Sequence, residues 1–202
     1  ETFHRDMLPV QTCRRLCVSM QEFRGNTVLT FDIEAKGAIV LEHMNELNVS
    51  IQRWLEKNLQ YIDFVIPIED ALTSDPVQAM FCGSIPRMQL SLSALAASNL
   101  DHDITVLRTE YGVRDLSIVD VLNQGCSKGH ALERWAAYRG IPREEVMAIG
   151  DNYNDIEMLA FAGVPFIMGN AAPELHRDGW KVTLGNDQSG VAAAIDQVLG
   201  LS

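Results

Sequence analysis

Residues 7–24 carry apolar positions at Met7, Val10, Leu16, Val18, Met20 and Phe23. This imperfectly follows the spacing that turns one helix face toward a core, and it predicts a helix over 7–24 that Gly25-Asn26 breaks. Two β-rich runs follow, 27–31 and 38–41, with Glu34-Ala35-Lys36-Gly37 between them as a hairpin turn. Leu47, Ile51, Trp54, Leu55 and Leu59 share one face of a helix that runs through Lys57, with Asn45 or Asn48 as its cap. Residues 61–68 form a short apolar run containing Pro67. Residues 77–82 read as a strand, 88–97 as a helix, and 104–107 and 116–122 as strands.

After Asn123-Gln124-Gly125 the rhythm changes. A helix over 128–139 is stopped by Gly140. Strands at 146–149, 164–168 and 181–183 then alternate with helices at 154–162, 173–177 and 191–199. Strands separated by helices imply a parallel sheet. The earlier strands, adjacent in sequence, imply an antiparallel sheet with helices on one face. Two α/β domains are expected, 1–122 and 123–202, without an internal repeat.

Composition narrows the class. With 47% hydrophobic residues, 21% charged, 14 Gly and 7 Pro, the chain is neither disordered, collagen-like nor low in complexity. Lys and Arg number 16 against 27 Asp and Glu, a formal charge of −11. Such a surface repels phosphate backbones and anionic lipid heads, so neither nucleic acid nor a membrane is an expected partner. No apolar run reaches the roughly 18 residues that span a bilayer, and no basic-then-apolar leader opens the sequence. Cys13, Cys17, Cys82 and Cys126 are too few for a disulfide scaffold and read as thiols in a reducing, cytoplasmic compartment. The five histidines are too dispersed for a zinc site.

Candidate chemistry gathers where the second-half strands end. Gly150 closes a buried strand, and Asp151, Asn154 and Asp155 follow it at the edge where parallel sheets bind ligands. Two carboxylates and an amide offer the oxygen donors that a hard ion such as Mg²⁺ prefers. Asp155 also falls in the first turn of the next helix, where a negative side chain suits the dipole. A polar loop capped by Asn154 or Asp155 satisfies the same pattern without an ion. Lys128 opens its helix against the dipole; a phosphate held near Asp151 would explain it, and a solvated surface lysine is the alternative. Asn170, in Met168-Gly169-Asn170-Ala171 at another strand end, could donate to a substrate oxygen or, the favoured role, cap the helix near Pro173.

Gly125-Cys126-Ser127-Lys128-Gly129, then Gly150-Asp151-Asn152-Tyr153-Asn154-Asp155-Ile156-Glu157-Met158-Leu159, then Met168-Gly169-Asn170-Ala171 and the tail Gly190-Val191-Ala192-Ala193-Ala194-Ile195 follow one another in order. Together they resemble the C-terminal signature of haloacid dehalogenase superfamily phosphatases of the Cof type, over about residues 116–199. The preceding residues are similar in pattern to that family's type IIB cap. The resemblance implies an α/β fold: the C-terminal half of a Rossmann-like parallel-sheet core, preceded by a mixed α+β C2-type cap. It implies a Mg²⁺-dependent phosphohydrolase that acts on small phosphorylated metabolites through an aspartyl-phosphate. In that family's terms Lys128 neutralises the phosphate, and Asp151 binds the metal. Asp155 ligates the ion or accepts from its water, Asn154 orients the phosphoryl group or a ligand, and Asn170 reaches the substrate.

The family's opening motif, Asp-x-Asp-Gly-Thr after an apolar strand, does not occur in the 202 residues. Phe31-Asp32-Ile33-Glu34 and Leu100-Asp101-His102-Asp103 imitate it but read as a hairpin and a loop of the cap. Phe166-Ile167 and Trp180 depart from the family pattern and are expected to alter packing. Glu1 is not Met, so the sequence is expected to start inside its gene, with about 80 residues of core lying upstream. The expectation is then a fragment that is inactive alone, or a core completed by a partner chain, either a second copy in a homo-oligomer or the missing N-terminal segment. A catalytically silent binding module, and a phosphotransferase or phosphonatase using the same site, are the alternatives.

Overall fold

The computed structural model describes residues 2–201, and the chain divides into two compact units, the first ending at Cys126 and the second beginning at Ser127. The first unit opens with α1 (Val10–Ser19), followed by a 3-10 segment, Gln21–Asn26. The imperfect spacing of the opening run has its cause here. Thr12, Cys13, Leu16 and Cys17 are the buried stripe of α1, Val18 points outward at 60% exposure, and Met20 and Phe23 are buried by the change of helix type.

Then come β1 (Thr27–Thr30), β2 (Ile39–Leu41), α2 (Val49–Glu56), β3 (Ile62–Phe64), β4 (Gln78–Gly83), α3 (Ile85–Ala96), β5 (Ile104–Tyr111) and β6 (Leu116–Asn123). They form one six-stranded sheet in the order β3-β2-β1-β4-β6-β5. β1 and β2 make the expected hairpin, closed by the Ala38 N–H donating to the Ala35 carbonyl. Asn48 caps α2, its side-chain oxygen accepting from the Ser50 N–H at 2.8 Å.

Two features differ from the antiparallel sheet expected. β2 and β3 pair in parallel, because α2 lies between them and returns the chain to the end at which β2 began. Helices also flank both faces rather than one. Leu29, Ala79, Phe81, Val119 and Val121 pack with Cys13 and Leu16 of α1 and Met88 and Leu95 of α3. Their neighbours Val28, Cys82 and Ile118 point the other way, into a cluster with Leu41 of β2 and Leu55 of α2. β5 runs four residues past the predicted end at Leu107, since Arg108–Tyr111 remain paired with β6.

The second unit contains α4 (Lys128–Arg139), β7 (Met147–Gly150), α5 (Ile156–Phe161), β8 (Val164–Ile167), β9 (Lys181–Val182) and α6 (Gly190–Leu199). Its three strands form a parallel sheet in the order β7-β8-β9. Ala136, Val146, Ala148, Leu159, Ala162, Ile167 and Leu175 make its core, with Trp180 packed against it. Phe166 is fully buried, so the departures from the family pattern are absorbed inside the unit. One edge of β7 carries no partner strand among the described residues. On α6, Ala194 is buried, while Val191, Ile195 and Val198 are at least 41% exposed along one stripe. No helix among the described residues is long and apolar enough to cross a membrane.

Candidate active site

The site forms where α4 starts and β7 ends. Ser127 caps α4 by accepting from the His130 N–H at 3.1 Å, and this fixes Lys128 in the first turn. A Cβ on Gly129 would sit 2.7 Å from the Cβ of Glu157 and 2.8 Å from its backbone carbon, so only glycine lets α4 approach α5 this closely. Across that approach the Lys128 ammonium donates to Asp155 Oδ1 at 2.5 Å. The lysine is half-exposed, whereas the carboxylate is buried.

Both oxygens of Asp155 are engaged by the chain itself. Its Oδ2 accepts from the backbone N–H groups of Asp151 (3.0 Å) and Asn152 (3.1 Å), while Oδ1 holds Lys128. Gly150 makes the loop possible, because a Cβ there would lie 2.5 Å from the Cβ of Asp155. Asn152 caps the 3-10 turn Tyr153–Asp155, its side-chain oxygen accepting from the Tyr153 N–H at 2.9 Å, and Asp155 holds the N-cap position of α5 without making a side-chain cap bond. The Asn-x-x-Asp spacing over 152–155 is the local signal for this reciprocal cap.

Asp151 is half-buried at the mouth. Its Oδ2 accepts from the Asn170 amide at 3.0 Å, and the other oxygen has no protein partner among the described residues. Asn170 does not cap the turn near Pro173, whose N-cap position is Ala172 with no side-chain bond. Instead the Asn170 side-chain oxygen accepts from the Asn186 N–H at 2.9 Å, a partner that no sequence motif indicated. Asn154 Oδ1 is buried with no hydrogen-bond partner. Lys128, Gly150, Asp151 and Asp155 line a cavity of about 390 Å³ whose apolar wall is Ile149, Met158, Met168 and Val191.

Lys128, Asp151 and Asp155 are thus brought together, with Asn170 bonded to Asp151. Among the described residues no group of three or more His, Cys, Asp or Glu side chains is placed to hold a metal ion. The imitation motifs lie in the first unit. Asp32 pairs with Arg5 at 2.6 Å in the β1–β2 hairpin, Asp101 lies 3.5 Å from His102, and Asp103 pairs with Arg15.

A model of the haloacid dehalogenase-like hydrolase family matches residues 1–195. The 5-amino-6-(5-phospho-D-ribitylamino)uracil phosphatase YwtE of Bacillus subtilis is 32% identical over 177 residues, covering 84% of this chain and 60% of the relative. An HMP-PP phosphatase of Escherichia coli O157:H7 is 26% identical over 182 residues, covering 88% of this chain and 60% of its own. The chain therefore spans 60% of the length of each of these two curated relatives. Among solved structures, a haloacid dehalogenase-like hydrolase from Bacteroides thetaiotaomicron superposes with a TM-score of 0.74 at 28% identity, over 98% of this chain and 70% of that one.

Proposed function

The chain belongs to the haloacid dehalogenase-like hydrolase family, and from that premise we propose that it carries the phosphate-binding and cation-binding half of a phosphatase site for small phosphorylated metabolites. The observation that carries this reading is the Lys128–Asp155 pair, 2.5 Å apart, beside Asp151 in one cavity at the end of a parallel strand. The two curated relatives, whose names specify a phosphorylated ribitylaminouracil and HMP-PP, support the substrate class. The first unit, ending at Cys126, is the cap, and the second, from Ser127, belongs to the core.

Lys128 neutralises charge on the phosphoryl oxygens during transfer, and Asp155 fixes the ammonium in advance so that it need not reorganise. The donors at the mouth fit Mg²⁺: they are all oxygens, and Asn154 Oδ1 is buried with its hydrogen-bonding capacity unspent. Asp151 would hold the ion directly, Asp155 through water, and Asn154 would orient the phosphoryl group or complete the ligand set. A bound Mg²⁺ supplies Lewis-acid stabilisation of the phosphoryl oxygens. Two carboxylates fall short of a full set, so further donors come from outside these residues, and so does the carboxylate that attacks phosphorus. The open edge of β7 and the exposed stripe on α6 support a missing segment seated there.

A protein extended upstream through an Asp-x-Asp-Gly-Thr strand is expected to hydrolyse p-nitrophenyl phosphate with Mg²⁺. In it, Lys128→Ala lowers kcat by on the order of 10²–10³-fold, and Asp151→Ala abolishes turnover. Unchanged turnover in Asp151→Ala would overturn the metal role. The second reading is a silent binding module, favoured by the absence of that motif from the 202 residues. Turnover by the 202 residues alone, lost in Asp32→Asn or Asp101→Asn, would place the nucleophile inside the chain and overturn both.

A further inference from the structure

Asn170 sits between two partners that dictate its orientation. The Asn186 backbone N–H can only donate, so the side-chain atom it meets at 2.9 Å must be the amide oxygen. The amide nitrogen then faces Asp151 Oδ2 at 3.0 Å, and an ionised carboxylate can only accept. Both bonds are satisfied in one amide orientation and neither in the flipped one. Asn186 is itself held by its loop: the Gly190 N–H donates to the Gly185 carbonyl at 3.0 Å, and the Gly169 N–H donates to the Leu184 carbonyl at 3.2 Å.

We infer that Asn170 is a positioning residue for the cation site, acting through Asp151 rather than on substrate, and that the 184–190 loop sets it through the Asn186 N–H. The inference rests on the metal-holding role proposed for Asp151. With one carboxylate oxygen tied to the amide, the carboxylate cannot rotate freely, and its other oxygen is the one presented to an ion. Groups that orient a ligand in this way typically change metal affinity about 10–100-fold when removed.

The test titrates Mn²⁺ into the protein extended upstream through the Asp-x-Asp-Gly-Thr strand, which supplies the remaining donors, followed by water-proton relaxation, with a thermal melt of each variant in the absence of the ion. Asn170→Ala is expected to weaken Mn²⁺ binding about 10–100-fold with an unchanged metal-free melt. Asn186→Pro removes the N–H donor together with a side chain that makes no bond to Asn170. It fits because Asn186 opens the 3-10 turn Asn186–Gln188 and Gly185 before it is extended, with φ −70 and ψ 167. It is expected to weaken Mn²⁺ binding in the same direction and by less, and it keeps the inference testable if Asn170→Ala fails to fold. Both variants binding Mn²⁺ within about twofold of wild type, while Asp151→Ala does not bind, would overturn the inference and leave the role of Asp151 standing. No Mn²⁺ binding by wild type, or wild-type binding by Asp151→Ala, would remove that role and the inference with it.

Discussion

The two units bury their apolar residues very differently. In the first, both faces of a six-stranded sheet are covered, and Leu16, Leu29, Leu41, Leu55, Ala79 and Val121 are fully buried. In the second, three strands leave one edge of β7 open, and α6 turns Val191, Ile195 and Val198 outward. The chemically loaded residues all belong to the second. Stability and chemistry are therefore divided along the chain: the first unit is closed on itself, and the second offers its site next to surfaces that still want covering. Local stability is expected to follow the same division.

That contrast can be tested by four changes. Phe81→Ala, at the centre of the first unit's larger cluster, should destabilise by about 3–5 kcal/mol in urea unfolding; a loss under about 1 kcal/mol would mean the first unit is not tightly packed. Gly150→Ala should cost about 1–3 kcal/mol, because the new Cβ must push Asp155 away and with it the hold on Lys128. A wild-type melt for that variant would show the loop of the second unit to be slack.

The third change is alkaline pH. Burial, with the nearby Asp120 charge adding to it, pushes the Cys82 thiol up to about 12. The hydrogen bond to Cys17, with burial, pushes Cys13 the same way. An unfolded thiol ionises near about 8.5, so this contribution is complete below that pH and is lost as pH rises toward about 12. Each thiol contributes a slope of up to about 1.4 kcal/mol per pH unit in that window. Urea midpoints should fall between pH 8 and 10, and less steeply in Cys82→Ala; equal slopes would exclude Cys82 as a cause. The smallest effect is expected from Ile195→Lys on the exposed stripe of α6, within about ±0.5 kcal/mol for these 202 residues. A loss above about 2 kcal/mol would show that stripe to be packed in solution.

What could be read from the sequence follows the range of the forces involved. α4 is legible to the residue, because a serine cap, a run of helix formers and Gly140 with φ 65 are all local signals. The β1–β2 hairpin and the Asn48 cap are legible for the same reason. The insertion of β4 between β1 and β6, and the parallel pairing of β2 with β3, are settled by packing between distant segments and leave no local mark. At the site, the residue types of Lys128, Asp151 and Asp155 pointed to their shared edge. That Oδ2 of Asp155 is held by its own loop was hidden, because the bonds run to backbone N–H groups, which every residue but proline has. Asn186 was hidden for the same reason, since it contributes no side-chain bond to Asn170.

The Asp155 carboxylate spends one oxygen on architecture and the other on charge. Shape and electrostatics at this strand end can therefore be uncoupled by exchanging a single atom. An asparagine at 155 could keep its carbonyl oxygen on the two backbone donors and turn a nitrogen toward Lys128. The turn would survive while the ammonium swung loose, and a folded protein with an unanchored lysine would be the result.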